Sequence, residues 1–153
     1  GGGRGRLRRA RGYTPDSVLR EAEAMTIQSI APEGSEETYE RFHFSQAVRS
    51  GNFVLCAGQL GAGADGRVPE EAAEEFANAW AAVGHVLAAA GLRFSDIVEY
   101  TSFHVGLSQT LPAFMAARDA VLDEPWPAWT AVGVTELALP GARVEIKVTA
   151  RIP

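Results

Sequence analysis

Arg143-Val144-Glu145-Ile146-Lys147-Val148-Thr149-Ala150-Arg151-Ile152 alternates without a break. Val144, Ile146, Val148, Ala150 and Ile152 share one face, and Arg143, Glu145, Lys147, Thr149 and Arg151 share the other. A period of two over ten residues predicts a strand with one buried face, which demands a sheet with something apolar packed against it. The layer that covers it is legible upstream. Residues 69–90 carry Ala73, Phe76, Trp80, Val83 and Leu87 at three- and four-residue steps, one apolar stripe of a helix. Glu70, Glu71, Glu74 and Glu75 fall in its first turns, where the macrodipole favours acids, and predict a solvated face rather than a cation site. Gly91 is a natural stop.

Further elements follow in the same way. Residues 41–48 and 52–57 predict two strands of a hairpin joined by the polar turn Arg49-Ser50-Gly51-Asn52. The glycine-rich run 58–66 predicts a plain loop, because it lacks the Gly-Lys-Ser/Thr ending of a phosphate loop and the dinucleotide fingerprint. Residues 96–105 predict a strand and 111–123 a second helix entered through Pro112. Residues 126–134 predict another extended segment, closed by the turn Leu139-Pro140-Gly141. The order β-β-α-β-α-β-β predicts an α+β fold with both helices on one face of a mixed sheet. The other sheet face, with Gln46, Glu145 and Lys147, is left to water or to another subunit.

The 153 residues suit one domain of about 129 residues preceded by an appendage. Residues 1–24 hold six arginines against Asp16, Glu21 and Glu23, a net of +3, and the remainder carries −8. The glycine- and arginine-rich start has no apolar core of a signal peptide and reads as a tag or an upstream extension ahead of Met25. Thr14-Pro15-Asp16-Ser17 signals a short helix over residues 17–24. An acidic body without a basic stripe argues against nucleic acid, since phosphate contacts need clustered cations. No apolar run approaches the roughly 18–20 residues of a membrane helix, so a cytoplasmic location is expected. The single cysteine, Cys56, permits no internal disulfide and sits in an apolar run where an inert buried thiol is the default. His43, His85 and His104 lack metal-ligand spacing, and neither a metal nor a cofactor is expected.

Four stretches, taken in order, resemble the RidA/YjgF family, also called endoribonuclease L-PSP-like. They are residues 51–59 (Gly-Asn-Phe-Val-Leu-Cys-Ala-Gly-Gln); the helix ending Ala89-Ala90-Gly91-Leu92 with Phe94-Ser95-Asp96-Ile97-Val98; Trp126-Pro127-Ala128; and residues 139–146 (Leu-Pro-Gly-Ala-Arg-Val-Glu-Ile). The resemblance spans residue 42 to the C-terminus. It implies a chorismate-mutase-like fold and a homotrimer whose sheets form a central barrel with clefts between subunits. It also implies hydrolysis of reactive enamines and imines, with an arginine holding the substrate carboxylate and a glutamate placing water. The glutamate falls on Glu145. The arginine position is Trp129, the serine before Gly58-Gln59 is Ala57, the tyrosine is Phe44 and an asparagine is Phe114. With Trp126, these residues form the candidate binding set, and Glu145 is the candidate catalytic group. An indole cannot replace the bidentate fork of a guanidinium, so a cleft lined in this way favours an apolar or aromatic ligand. Arg143 and Arg49 are the cations available as substitutes.

Plainer roles stand beside these. Glu145 between Arg143 and Lys147 also fits a cross-strand ion ladder. Trp126 and Trp129 also fit buried interface aromatics. Ser102 and Ser108 lack a nucleophile elbow. The function expected is a homotrimer that binds a small metabolite in its inter-subunit clefts and hydrolyses an enamine or imine of altered specificity. The alternatives are a non-catalytic ligand-binding trimer, favoured by the missing arginine, and an endoribonuclease, disfavoured by the acidic body.

Overall fold

The computed structural model describes residues 14–153. The Gly/Arg-rich run 1–13 lies outside the described residues. Helix α1 (Pro15–Met25) is followed by β1 (Gln28–Ile30), α2 (Glu36–Phe42), β2 (Ala47–Ser50), β3 (Phe53–Cys56) and β4 (Gln59–Leu60). Then come α3 (Ala72–Ala89), β5 (Ile97–His104), α4 (Leu107–Asp119), β6 (Ala128–Gly133) and β7 (Val144–Arg151). Among the described residues the strands form one sheet in the order β1-β2-β3-β7-β5-β6, with β4 also paired to β7. Among the described strands only β5 and β6 run parallel, joined through α4 as a crossover requires. This is the expected α+β layering, with α3 and α4 packed together on one face of a mixed sheet.

The terminal strand is the axis of the sheet. β7 pairs antiparallel with β3, β4 and β5. Val144, Ile146, Val148 and Ala150 are at most 1% exposed, as the alternation requires. They meet Phe76, Ala79, Trp80, Val83, Val86 and Leu87 of α3. Phe114 of α4 closes this layer, edge-on to Phe76 at 5.8 Å and near Trp80 at 6.1 Å. Aromatic pairs at such spacings add roughly 0.5–1.5 kcal/mol each beyond area burial.

Five expectations are corrected. The strand predicted from residue 41 begins only at Ala47, because α2 runs through Phe42 and ends on His43 in the left-handed region at φ 57°. The cause is local: Glu36 and Glu37 sit in the first turn, Arg41 in the last, and Arg41 pairs with Glu37 at 3.2 Å. The run 58–66 is not all loop, since Gln59 and Leu60 pair with Ile146 and Glu145. α4 starts four residues earlier than predicted, and Pro112 lies inside it rather than at its entry. Ala73 is off the apolar stripe, whereas Glu75 is fully buried instead of solvated.

Glu75 is buried because it ties α3 to the start of β7. Its carboxylate accepts the backbone N–H of Arg143 at 2.6 Å and the Arg143 Nη1 at 2.9 Å. Arg143 also donates to the carbonyls of Pro69 and Glu70. The backbone at Gly61 passes so close to the Glu75 carbonyl that a Cβ there would overlap it. α1 is capped as its sequence signals, with Thr14 and Ser17 exchanging side-chain and backbone hydrogen bonds.

Two consequences are testable. Glu75→Ala leaves the Arg143 N–H and guanidinium short of an acceptor and should cost roughly 2–4 kcal/mol, with Glu75→Gln costing less. Urea denaturation checks this, and a loss under about 0.5 kcal/mol would remove the latch from the account. His104 is fully buried, and burial pushes its pKa below the usual 6.5. The unfolded chain therefore takes up a proton there at a pH where the native chain does not. The stability tied to this group is complete above about pH 6.5 and is lost as the pH falls below it. The thermal midpoint should fall from pH 7.5 to 5.5 by less in His104→Gln than in wild type; equal slopes would show that other groups carry the dependence.

Candidate functional site

Because β7 alternates, the sheet face away from the helices carries Glu145, Lys147, Thr149 and Arg151. Glu145 is half-buried there, opposite Phe103 on β5 and Leu60 on β4. Its carboxylate packs against the backbone of Gly58, and a Cβ at that position would overlap Oε1. The ion ladder considered for Glu145 does not form among the described residues: Arg143 is turned to Glu75, and Glu145 makes no salt bridge. Gln59 faces Gln46, donating to its side-chain oxygen at 2.9 Å and to the Ala57 carbonyl at 3.1 Å. The result is a carboxylate seated on a glycine, beside an amide pair that orders the strand entry.

Phe44 and Ala57 come together in an open groove of about 580 Å³ with Ile27, Tyr39, Val48 and Leu55. Phe44, Leu55 and Phe53 are each more than 40% exposed. Cys56 lines the same groove from beneath but is buried, and burial pushes its thiol up to about 11. A buried thiol held protonated in this way is a poor nucleophile near neutral pH.

Trp126 and Trp129 come together elsewhere. Trp129 pairs in register with Tyr100 on β5, so its indole lies on the helix side of the sheet. Its ring stacks on Tyr100 at 5.9 Å and 13°, and its Nε1 donates to Ser102 Oγ at 2.8 Å. Ser102 also bonds His104 Nε2 at 2.7 Å. A serine beside a histidine invites a nucleophile reading, but both are fully buried and no substrate reaches them. Their role is to anchor Trp129. Phe114 is fully buried behind Trp129, 5.8 Å away and edge-on to His104, and belongs to the core rather than to the pocket wall. Trp126, 57% exposed, and Trp129 line a smaller cavity of about 240 Å³ with Tyr100, Leu122 and Pro127.

That cavity also holds a residue the sequence did not single out. Arg118, in the last turn of α4, places its guanidinium 5.1 Å from the Trp129 ring centre. It engages Asp119 and lies against the Tyr100 hydroxyl. Burial raises the Tyr100 pKa, with Arg118 opposing. No spacing in the chain signals this contact; it exists because α4 returns antiparallel to β5 before entering β6. Of the cations named from sequence, Arg143 is committed to Glu75 and Arg49 bonds the Gly51 carbonyl.

The candidate residues therefore divide. Glu145 and Gly58 face away from the helices, next to the Phe44–Ala57 groove, while Trp126 and Trp129 open on the helix side. Glu145 and Trp129 stand on opposite faces of the sheet.

Known proteins share this architecture. The family described as "Endoribonuclease L-PSP" matches residues 35–152. The RutC family protein YjgH of Escherichia coli (strain K12) is 37% identical over 126 residues, 82% of this chain and 95% of that protein. A 2-iminobutanoate/2-iminopropanoate deaminase of Dermatophagoides farinae is 34% identical over 110 residues, 68% of this chain and 81% of that one. The solved structure of protein YJGH has a TM-score of 0.74 over 82% of this chain and 96% of its own, at 37% identity. RidA from the Antarctic bacterium Psychrobacter sp. has a TM-score of 0.68 at 30% identity, over 83% and 98% of the two chains. With the fold, the matched span and the order of motifs in agreement, the chain belongs to the RidA/YjgF family of endoribonuclease L-PSP-like proteins.

Proposed function

We propose that this chain works as a homotrimer that hydrolyses a small, largely apolar imine or enamine in clefts shared between subunits. The observation that carries the reading is the Glu145 carboxylate held against Gly58, half-buried and free of any salt bridge among the described residues. A carboxylate in that setting can hold a water and take its proton as the oxygen adds to an imine carbon. The proton then passes to nitrogen, the carbon–nitrogen bond breaks, and a ketone and ammonia leave. An enamine enters the same route after tautomerising to the imine. No step uses a cofactor or a metal.

Two further observations support the shared cleft. Glu145 and Trp129 lie on opposite faces of one sheet, so a cavity containing both takes them from two copies. The face with Glu145 also leaves Phe53 and Leu55 exposed beside Phe44, apolar area of the kind an interface covers. The likeness to an iminobutanoate deaminase supports the reaction class. The aromatic and apolar residues at 44, 57 and 129 support a substrate less polar than those of that relative. A ligand-binding trimer without turnover is the second reading, favoured by Trp129 standing where the family arginine is expected. RNA cleavage is disfavoured by the net charge of −8 over residues 25–153.

Ammonia release from imines generated in place from amino acids tests the reaction. Phenylalanine- or leucine-derived imines should be preferred to the alanine-derived one. Glu145→Gln should lower kcat by about 100-fold or more, and Gly58→Ala, which displaces the carboxylate, should lower it as well. Wild-type activity that survives Glu145→Gln would end the catalytic assignment. Light scattering should give three times the 16.3 kDa chain mass; a stable monomer would undo the shared cleft.

A further inference from the structure

We infer that the cavity between Trp126 and Trp129 is a binding site for a small organic anion with a flat apolar body, and that Arg118 takes its charge. The proposal deepens the reading above by naming a ligand class for the Trp129 side of the cleft, and rests on it only in supposing that this side receives a ligand.

The cavity has two kinds of wall. Leu122, Pro127 and the indoles of Trp126 and Trp129 make it apolar and flat-sided, and Arg118 with the Tyr100 hydroxyl makes one corner polar. At about 240 Å³ it falls below the roughly 300–1,000 Å³ of drug-sized sites and suits a single ring with a short acidic arm. Trp126 marks the mouth. More than half of this large ring is exposed, although the neighbouring core is closed by Trp129 and Phe114.

The sign of the ligand follows from Arg118. Its side chain is 17% exposed and its guanidinium lies over the Trp129 ring, so the face that would attract a cationic ligand already carries a cation. Arginine has five N–H donors in a fixed fork. Asp119 Oδ1 engages Nε at 2.9 Å and Nη2 at 2.8 Å, and Tyr100 shares part of the rest, which leaves donors for an incoming carboxylate. The ring stacking and the Asp119 contact hold the fork in place before the ligand arrives, which reduces the ordering needed on binding. Asp119 itself is 55% exposed and keeps most of its interaction with water.

Binding without turnover tests this on the full chain. Phenylacetate and its uncharged analogue phenylacetamide are titrated by isothermal calorimetry and tryptophan fluorescence. Wild type should bind the acid at least tenfold more tightly than the amide, the size of a charge-assisted hydrogen bond. Arg118→Met should erase that preference while leaving amide affinity within about twofold, which also reports an intact pocket. If Arg118→Met does not fold, Arg118→Gln, polar but uncharged, should erase the preference equally. Equal affinity for acid and amide in wild type, no binding of either, or a preference that survives loss of the Arg118 charge would each overturn the proposal. Acid binding that depends on Arg118 in a protein with no imine hydrolysis would uphold it and end the hydrolase reading instead.

Discussion

The rest of the molecule depends on the position of β7 at the centre of the sheet. A strand flanked by β3, β4 and β5 has no free edge over most of its length, so its backbone is satisfied by neighbours and its side chains are forced to two sides. On one side Val144, Ile146, Val148 and Ala150 take their places under α3. On the other, Glu145 is delivered to the open face with no choice of direction. A register slip of one residue would exchange the two sets and bury Glu145 and Lys147 beneath Trp80. The packing of the core thus fixes where the candidate catalytic carboxylate points.

The Glu75–Arg143 contact extends the same constraint. It fastens the first turns of α3 to the residue before β7 and holds the 58–70 segment close to both. At Gly58 and Gly61 this segment runs directly against other groups, the Glu145 carboxylate and the Glu75 backbone. A side chain at position 61 would run into backbone, and one at position 58 would push the Glu145 carboxylate aside. One contact is structural and the other belongs to the candidate site, yet both arise from the same tight passage of chain.

On the helix side, the parallel pair β5–β6 sets a second surface. Trp129 beside Tyr100 and above Ser102 is an indole with its N–H satisfied, its ring stacked and one face capped by Arg118. The strand itself, Ala128–Gly133, carries no arginine. A guanidinium from α4 nonetheless reaches the same ring, so a cation is present by a different route.

Much of this was legible in the chain itself. The strict alternation of 143–152 and the stripe through Phe76, Trp80, Val83 and Leu87 are one-dimensional signals of burial, and they determined the sheet, its covering helix and the side on which Glu145 stands. The α+β class and the family followed from the order of those elements and motifs. The tertiary structure alone decided which charges and rings meet. Glu75 read as a solvated acid because helix periodicity does not reveal that a partner 68 residues away will bury it. Residues 41–46 read as strand because alternating Phe and His mimic a pleat, while the charges of residues 36–41 favoured a helix. Phe114 read as a cleft residue and became core, and Arg118 carried no signal at all. Local periodicity reports which face is apolar, since burial is a property of each residue. Ion pairs, ring contacts and cavities are properties of residue pairs distant in sequence, and only the folded chain brings those pairs together.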